Sequence, residues 1–192
     1  DFTNLDSLPF LPLVLMTILP LFFAVLIALF PSGKKDLISR KLALLSTVMT
    51  ALISCRFIGG IFNSPEKFTA GIDVPWIESF NIHFLLGLDG LSGTLVLLTN
   101  VLMVLSVMAS WTAIDKRQKE FYFFLLLLQT GIIGTFLALD LILFYIFWEL
   151  MLVPLYFLIG IFGSGNRLYA TMKFFLYTMA GSVLMPVSYT HL

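Results

Sequence analysis

One acidic residue stands in the middle of a strongly apolar stretch of this sequence. Glu149 lies in FYIFWELMLVP (residues 144–154), about nine residues into a segment of roughly 21 that is long enough to span a membrane. An ionisable side chain at the centre of a membrane helix costs about 2.5 to 3.5 kcal/mol on insertion scales, so such a residue is expected to face the protein interior and to be functional. Glu149 is therefore predicted to pick up and release protons. The alternative is a protonated acid that serves packing alone.

Two further residues bear on this prediction. Pro154 follows Glu149 in the same apolar segment and donates no backbone hydrogen bond, so the carbonyl of Leu150 is free to hold an ordered water. A simple packing kink explains Pro154 equally well. Lys173 lies about one turn inside the next apolar segment, where it either relays protons or snorkels with its ammonium group among the lipid headgroups. Direct contact between Glu149 and Lys173 is not expected in straight helices, and a chain of water would have to connect them.

The remaining polar residues of the apolar segments have simpler interpretations. Asn100, Gln129 and Thr130 are predicted to form hydrogen bonds between helices rather than to bind a ligand. Arg56 is expected to snorkel outward from the end of its helix. His83 lies in a loop and is assigned neither a metal nor a catalytic role.

The composition indicates the class of protein in which these residues lie and the functions that it excludes. Of 192 residues, 59% are hydrophobic and 11% are charged, and the mean hydropathy is +1.02, whereas soluble domains contain about 25% charged residues. The 11 Lys and Arg residues balance 11 Asp and Glu residues without a basic stripe, which argues against nucleic-acid binding. The single cysteine, Cys55, excludes an internal disulfide and a cysteine-based metal or iron–sulfur site. The sequence has no glycine-rich phosphate loop, so no nucleotide cofactor is expected.

Six apolar segments are long enough to cross a bilayer, which takes about 20 residues at about 1.5 Å per residue. Asp140 alone separates the fourth and fifth segments, which predicts a tight antiparallel helix pair. The sequence therefore predicts an all-α polytopic membrane protein with about six transmembrane helices, in contact with the lipid bilayer. The predicted spans are Leu8–Phe30, Leu42–Phe62, Gly90–Trp111, Phe121–Leu139, Leu141–Ile161 and Tyr169–Pro186.

The basic residues predict the orientation of these spans. Most of the 11 Lys and Arg residues lie in the loops after the first, third and fifth spans, which the positive-inside rule places in the cytoplasm. The amino terminus is therefore predicted to face outward, to the periplasm, with the protein in the inner (plasma) membrane. The cations on the predicted cytoplasmic side are Lys34, Lys35, Arg40, Lys41, Lys116, Arg117, Lys119 and Arg167.

Two segments depart from the helical pattern of the single transmembrane domain predicted for residues 1–192. Residues 63–89 form the one long connection, and the alternating apolar residues around Trp76 predict a short hairpin at the outer side of the membrane between the second and third helices. Residues 186–192 (PVSYTHL) interrupt an apolar helix with a proline and several polar side chains. We interpret them as a tail that breaks the helix and is not native.

Three segments carry a specific resemblance: FYIFWELMLVPLYFLIGIFG (residues 144–163), NRLYATMKFFLYTMAGS (residues 166–182) and, upstream, LGLDGLSGTLVLLTNVLMVLSVMASW (residues 86–111). With these segments the sequence resembles the antiporter-like membrane subunit M of respiratory complex I, which is chain 4 in chloroplasts and cyanobacteria. The resemblance covers residues 76–185 and ends where PVSYTHL replaces a continuing helix. Because chains of that family have about fourteen spans, it implies an amino-terminal fragment.

The resemblance implies a proton-translocating subunit of NADH-quinone oxidoreductase, built from two inverted helix repeats. In the family, the glutamate that matches Glu149 pairs with a lysine on the seventh helix, which lies beyond this chain, and Lys173 occupies the position of a sixth-helix lysine. Coupling to quinone reduction would then run along a buried Glu/Lys polar axis. NADH, FMN, iron–sulfur centres and quinone belong to other subunits, so the resemblance implies no cofactor on this chain and other membrane subunits of the complex as its partners.

Two other interpretations stay open at this point. A homologous subunit of a multisubunit Na⁺/H⁺ antiporter has the same fold and the same glutamate. A membrane scaffold that transports nothing would leave Glu149 with a structural role only.

Overall fold

The computed structural model describes residues 11–30, 37–61, 70–77 and 82–190, and this part of the chain folds into six helices and one β-hairpin. Five of the helices, α1 to α5, are long and apolar enough to cross a membrane, and the chain is a multi-pass membrane protein of the predicted all-α class. The sixth helix is more polar because it carries Arg167, Lys173 and several hydroxyl side chains. The elements are α1 (Leu11–Leu29), α2 (Leu37–Ile61), β1 (Ala70–Ile77), β2 (Ile82–Leu88), α3 (Gly90–Ala113), α4 (Gln118–Leu137), α5 (Leu141–Phe162) and α6 (Arg167–Thr190).

Helix α4 is the centre of the bundle and packs against α1, α2, α3 and α5. Its face toward α5 carries Gly131 and Gly134. A Cβ atom at Gly131 would lie 2.8 Å from the Cβ atom of Met151, and one at Gly134 would overlap the ring of Phe147. Only glycine lets the two helices approach so closely. The predicted tight antiparallel pair is confirmed.

The short connection between α4 and α5 fixes where α5 begins. The Asp140 carboxylate accepts hydrogen bonds from the backbone N–H groups of Ile142 and Leu143, at 2.8 and 3.0 Å, and so caps the helix. The N–H of Leu139 donates to the carbonyl of Leu85 in β2, at 2.9 Å. Because α5 starts at this anchored point, Glu149 lies about 12 Å along the helix, near its middle.

The predicted hairpin is present between α2 and α3. Strands β1 and β2 pair antiparallel, and the His83 imidazole Nδ1 lies 2.7 Å from the Asp73 carboxylate Oδ1. His83, which the sequence left without a role, therefore joins the two strands. Residues 62–69 and 78–81 lie outside the described part of the chain.

Two helix boundaries differ most from the prediction. Helix α2 begins at Leu37, five residues before the predicted span, because Arg40 is anchored: its guanidinium donates to the carbonyl of Ile114 at 3.0 Å. Helix α6 does not break at Pro186 but continues to Thr190. The prediction of a helix break was wrong. That residues 186–192 are not native stays a prediction, and residues 191–192 lie outside the described residues.

Candidate functional site between α5 and α6

Helices α5 and α6 pack together in antiparallel fashion, and their register determines what faces Glu149. The rings of Tyr156 on α5 and Phe175 on α6 meet edge to face with centroids 5.3 Å apart. Glu149 precedes Tyr156 by seven residues, and Ser182 follows Phe175 by seven residues. Because the two helices are antiparallel, Glu149 and Ser182 lie opposite each other. Glu149 therefore points to a neighbouring helix.

The Glu149 carboxylate is half-buried and has polar neighbours on two helices. Its Oε1 atom accepts a hydrogen bond from the Ser182 hydroxyl at 2.5 Å. The Ser182 side chain is buried, and its oxygen also lies 3.0 Å from the carbonyl oxygen of Met179 on its own helix. On α5, the Tyr145 hydroxyl interacts with both Glu149 and Ser182. The acid thus has hydrogen-bonding partners at membrane depth rather than only hydrocarbon around it.

A groove of about 300 Å³, open at the surface of this chain, lies beside this contact. Its wall includes Trp148 from α5 together with Tyr177, Thr178 and Ser182 from α6. Ser182 thus both contacts Glu149 and lines this groove.

The structure does not bring Lys173 to Glu149. Lys173 is exposed in this chain, and its ammonium nitrogen lies 5.9 and 6.0 Å from the ring centroids of Tyr169 and Tyr177, an arrangement that favours a cation. It precedes Ser182 by about 13 Å along α6. Within the described part of the chain, no ion pair joins Lys173 to Glu149.

Pro154 lies inside α5, which continues unbroken to Phe162, and its side chain is buried. A proline at this position leaves the carbonyl of Leu150 without its helical donor. That carbonyl belongs to the residue after Glu149. Its use as a water anchor stays a prediction.

A second polar cluster lies on the other side of the bundle, between α2, α3 and α4. The amide of Gln129 donates to the Asn100 carbonyl oxygen at 2.8 Å, and the amide of Asn100 donates to the Ser54 hydroxyl at 2.5 Å. All three side chains are at most 1% exposed. The predicted hydrogen bonds between helices are confirmed for Asn100 and Gln129, whereas Thr130 donates to the carbonyl of Leu126 on its own helix.

Sequence reasoning missed Ser182 and Tyr145. A signal for Tyr145 was present, because it precedes Glu149 by one helical turn and so shares its face. Ser182 is one of several small hydroxyl residues on α6, including Thr171 and Thr178, and only the α5–α6 register distinguishes it. Spacing within α6 could not identify Ser182.

The chemistry available at this site is proton exchange. The Glu149 carboxylate lies beside the hydroxyls of Ser182 and Tyr145. These groups can hold and pass a proton. Among the described residues, no group of three or more His, Cys, Asp or Glu side chains could hold a metal ion.

Two family models match the sequence. The model described as "NADH-ubiquinone oxidoreductase chain 4, amino terminus" matches residues 7–135, which is more than half of the chain. The model described as "NADH:quinone oxidoreductase/Mrp antiporter, TM" matches residues 138–192, the part that contains Glu149 and Ser182.

Individual relatives agree with these matches. The chain is 40% identical over 179 residues to NADH-quinone oxidoreductase subunit M of Rhodobacter capsulatus, covering 92% of this chain and 34% of that one. It is 46% identical over 121 residues to subunit M of Escherichia coli K12, covering 60% of this chain and 24% of the relative. The chain thus spans about a third or less of the length of these relatives.

Solved structures share the fold. A chain of respiratory complex I from Thermus thermophilus with bound NADH superposes with a TM-score of 0.78 at 26% identity, covering 91% of this chain and 34% of that one. A chain of an archaeal membrane-bound sulfane sulfur reductase superposes with a TM-score of 0.72 at 20% identity, covering 92% and 26%, and shows the fold alone. From the matched family models and relatives, the chain belongs to the NADH-ubiquinone oxidoreductase chain 4 (subunit M) family.

Proposed function

We propose that this chain is the amino-terminal part of a proton-translocating membrane subunit of an NADH:quinone oxidoreductase, and that Glu149 carries the proton. Family membership supports the assignment to the complex. The observation that carries the role of Glu149 is its position: a half-buried carboxylate near the middle of α5, hydrogen-bonded to Ser182 on α6 beside a groove. Inserting an acid at this depth costs free energy, so such a residue is expected to have a function.

Proton transfer at Glu149 depends on the charges near it. A cation close to the carboxylate favours the ionised form, and desolvation favours the protonated form, so a cation that approaches and withdraws drives uptake and release. Of the two cations on the neighbouring helix α6, Arg167 and Lys173, Lys173 lies nearer to Ser182 along the helix. Its distance from Glu149 requires water between them, and the carbonyl freed by Pro154 provides an anchor for such water.

The rest of the reaction belongs to other subunits. NADH, FMN, iron–sulfur centres and quinone are bound elsewhere in the complex, and this chain moves protons without carrying electrons. Other membrane subunits and lipid cover the exposed apolar side chains of α5 and α6, such as Val153, Phe157, Leu176 and Leu184. The distribution of Lys and Arg supports an amino terminus on the outer, periplasmic side.

The substitution Glu149→Gln in the full-length subunit tests the proposal. Glutamine keeps the size of the side chain and still accepts a hydrogen bond from Ser182, but it cannot bind and release a proton. We expect NADH-driven acidification of membrane vesicles, followed with a pH-sensitive dye, to be lost and coupled quinone reduction to fall.

A matched control is Glu120→Gln. Glu120 lies in the first turn of α4, half-exposed, in an ion pair with Arg117 at 3.7 Å, and exposed pairs of this kind contribute about 1 kcal/mol or less. The control is expected to pump at the wild-type rate. Normal pumping by an assembled Glu149→Gln complex would overturn the proposed role.

The second candidate is a subunit of a multisubunit Na⁺/H⁺ antiporter. The family model that covers residues 138–192 names both kinds of protein, and this favours a shared ion-translocating module. The full-length protein in vesicles distinguishes them: an antiporter exchanges Na⁺ for H⁺ when a pH gradient is imposed without NADH, whereas the oxidoreductase subunit acidifies vesicles only when NADH is oxidised.

A further inference from the structure

The Ser182 hydroxyl has one hydrogen and two acceptor oxygens within reach, and the Tyr145 hydroxyl lies beside it. The Ser182 oxygen lies 2.5 Å from Oε1 of Glu149 and 3.0 Å from the carbonyl oxygen of Met179. A serine hydroxyl donates one hydrogen bond and accepts up to two. It therefore donates to one of these oxygens at a time.

These two partners match the two protonation states of Glu149. When the carboxylate is ionised it can only accept, and the Ser182 hydrogen points to it. When Glu149 is protonated, its own O–H can donate to the Ser182 oxygen, and the Ser182 hydrogen turns to the Met179 carbonyl, which has a lone pair beyond the one used in the helix. In both states each of the three groups has a partner.

We propose that Ser182 is the positioning residue for proton transfer at Glu149, because its hydroxyl reverses the direction of its hydrogen bond as the acid gains or loses its proton. This inference rests on the proposed proton-carrying role of Glu149. A buried polar group that loses its partner is strongly disfavoured. A proton carrier in this environment therefore needs a neighbour that satisfies both of its states.

The surroundings of Ser182 favour this role over simple packing. Thr171 and Thr178 on the same helix direct their hydroxyls to carbonyls one turn earlier, at 2.7 and 2.8 Å, which is the usual arrangement for hydroxyl residues inside a helix. Ser182 combines such a bond with one to the carboxylate of another helix, and it lines the groove. Ser182 thus contacts both the acid and this groove.

The test compares three variants of the full-length subunit in the assembled complex. Ser182→Ala removes the hydroxyl, and we expect the rate of NADH-driven pumping to fall about tenfold, the value of one hydrogen bond to a charged group. Ser182→Thr keeps a hydroxyl at the same atom and should restore most of the rate. Thr171→Val removes a buried hydroxyl that does not touch Glu149 and should pump as the wild type does.

A spectroscopic measurement distinguishes positioning from packing. The infrared C=O stretch of protonated Glu149 is the carboxylic-acid band that disappears in Glu149→Gln. In Ser182→Ala this band should shift because the O–H of protonated Glu149 loses its acceptor, and in Ser182→Thr and Thr171→Val it should stay in place. Unchanged pumping in Ser182→Ala, or a Ser182→Thr variant as slow as Ser182→Ala, would overturn the inference.

The Tyr145 hydroxyl is the other group beside Glu149 and Ser182. Tyr145→Phe removes this hydroxyl but keeps the contact between Ser182 and Glu149, so the loss of pumping should be smaller than in Ser182→Ala. A tenfold loss in Tyr145→Phe together with a normal rate in Ser182→Ala would assign the role to the tyrosine and refute the inference for Ser182. The proposed role of Glu149 has its own test: it would be overturned if Glu149→Gln pumped normally, whatever the result for Ser182→Ala.

Discussion

The described part of the bundle contains two polar clusters at membrane depth, and they differ in charge and in burial. The α2–α3–α4 cluster of Ser54, Asn100 and Gln129 is uncharged and almost completely buried. The α5–α6 cluster of Glu149 and Ser182 contains an ionisable group, is only partly buried and borders a groove.

The difference follows from the position of each cluster in the fold. Helix α4 is surrounded by four other helices, so polar groups on it find partners within the bundle, as the Gln129 amide nitrogen does on Asn100. Helices α5 and α6 keep a large exposed face in this chain. An amide cluster buried in the bundle stabilises helix contacts, whereas the half-buried carboxylate is the group that the proposed function requires to exchange protons.

The largest expected effect comes from placing an acid in the α2–α3–α4 cluster. In Gln129→Glu the new carboxylic acid is expected to stay protonated, because position 129 is fully buried and its hydrogen-bond partner among the described residues, Asn100, is uncharged. Holding neutral a group with an ordinary pKa of about 4.3 costs about 4 kcal/mol at pH 7 and about 1 kcal/mol at pH 5. The group is charged in the unfolded state and neutral in the folded state, so stability should fall as the pH rises between these values.

Thermal unfolding of the purified complex at pH 5 and pH 7, compared with the wild type, measures this effect. Glu149→Gln is the opposite substitution, from an acid to an amide. It should change the unfolding temperature only slightly, and by the same amount at pH 5 and pH 7. A Gln129→Glu complex with the same stability loss at the two pH values would show that the α2–α3–α4 cluster is open to water or to a cation.

A smaller effect is expected when the α2–α3–α4 cluster is interrupted. Asn100→Leu leaves the Gln129 amide without its acceptor and Ser54 without its donor, and each unsatisfied buried group costs about 1 to 3 kcal/mol. We expect a lower unfolding temperature and normal pumping per assembled complex, because this cluster carries no proton.

Thr99→Val is the matched control for Asn100→Leu. The Thr99 hydroxyl donates to the carbonyl of Leu95 on its own helix at 2.8 Å, and the substitution should change stability by less than about 0.5 kcal/mol. Loss of pumping in a stably assembled Asn100→Leu complex would contradict the division between the two clusters.

The sequence predicted the elements of both clusters but not all of their contacts. Apolar length and the single residue Asp140 were enough to predict the spans and the α4–α5 pair, because hydrophobicity and loop length act locally. Asn100 and Gln129 were predicted to bond between helices because an amide in an apolar segment has few alternatives. Their contact with Ser54 required the packing of α2 against α3.

Ser182 shows why the rest could not be predicted. A serine inside a helix can satisfy its hydroxyl on its own backbone, as Thr130 does, so its presence in the sequence indicates no partner. The helix end at Pro186 was predicted wrongly for a related reason: the local preference of one proline does not determine where a long helix ends. Both features depend on contacts between segments.

The central claim is that Glu149 changes its protonation state while the complex works. The most direct test is the infrared difference spectrum between the resting full-length complex and the complex turning over with NADH and quinone. The account predicts a carboxylic-acid band that changes with turnover in the wild type and is missing in Glu149→Gln. The claim would be contradicted if the difference spectrum of Glu149→Gln contained every band that changes in the wild type.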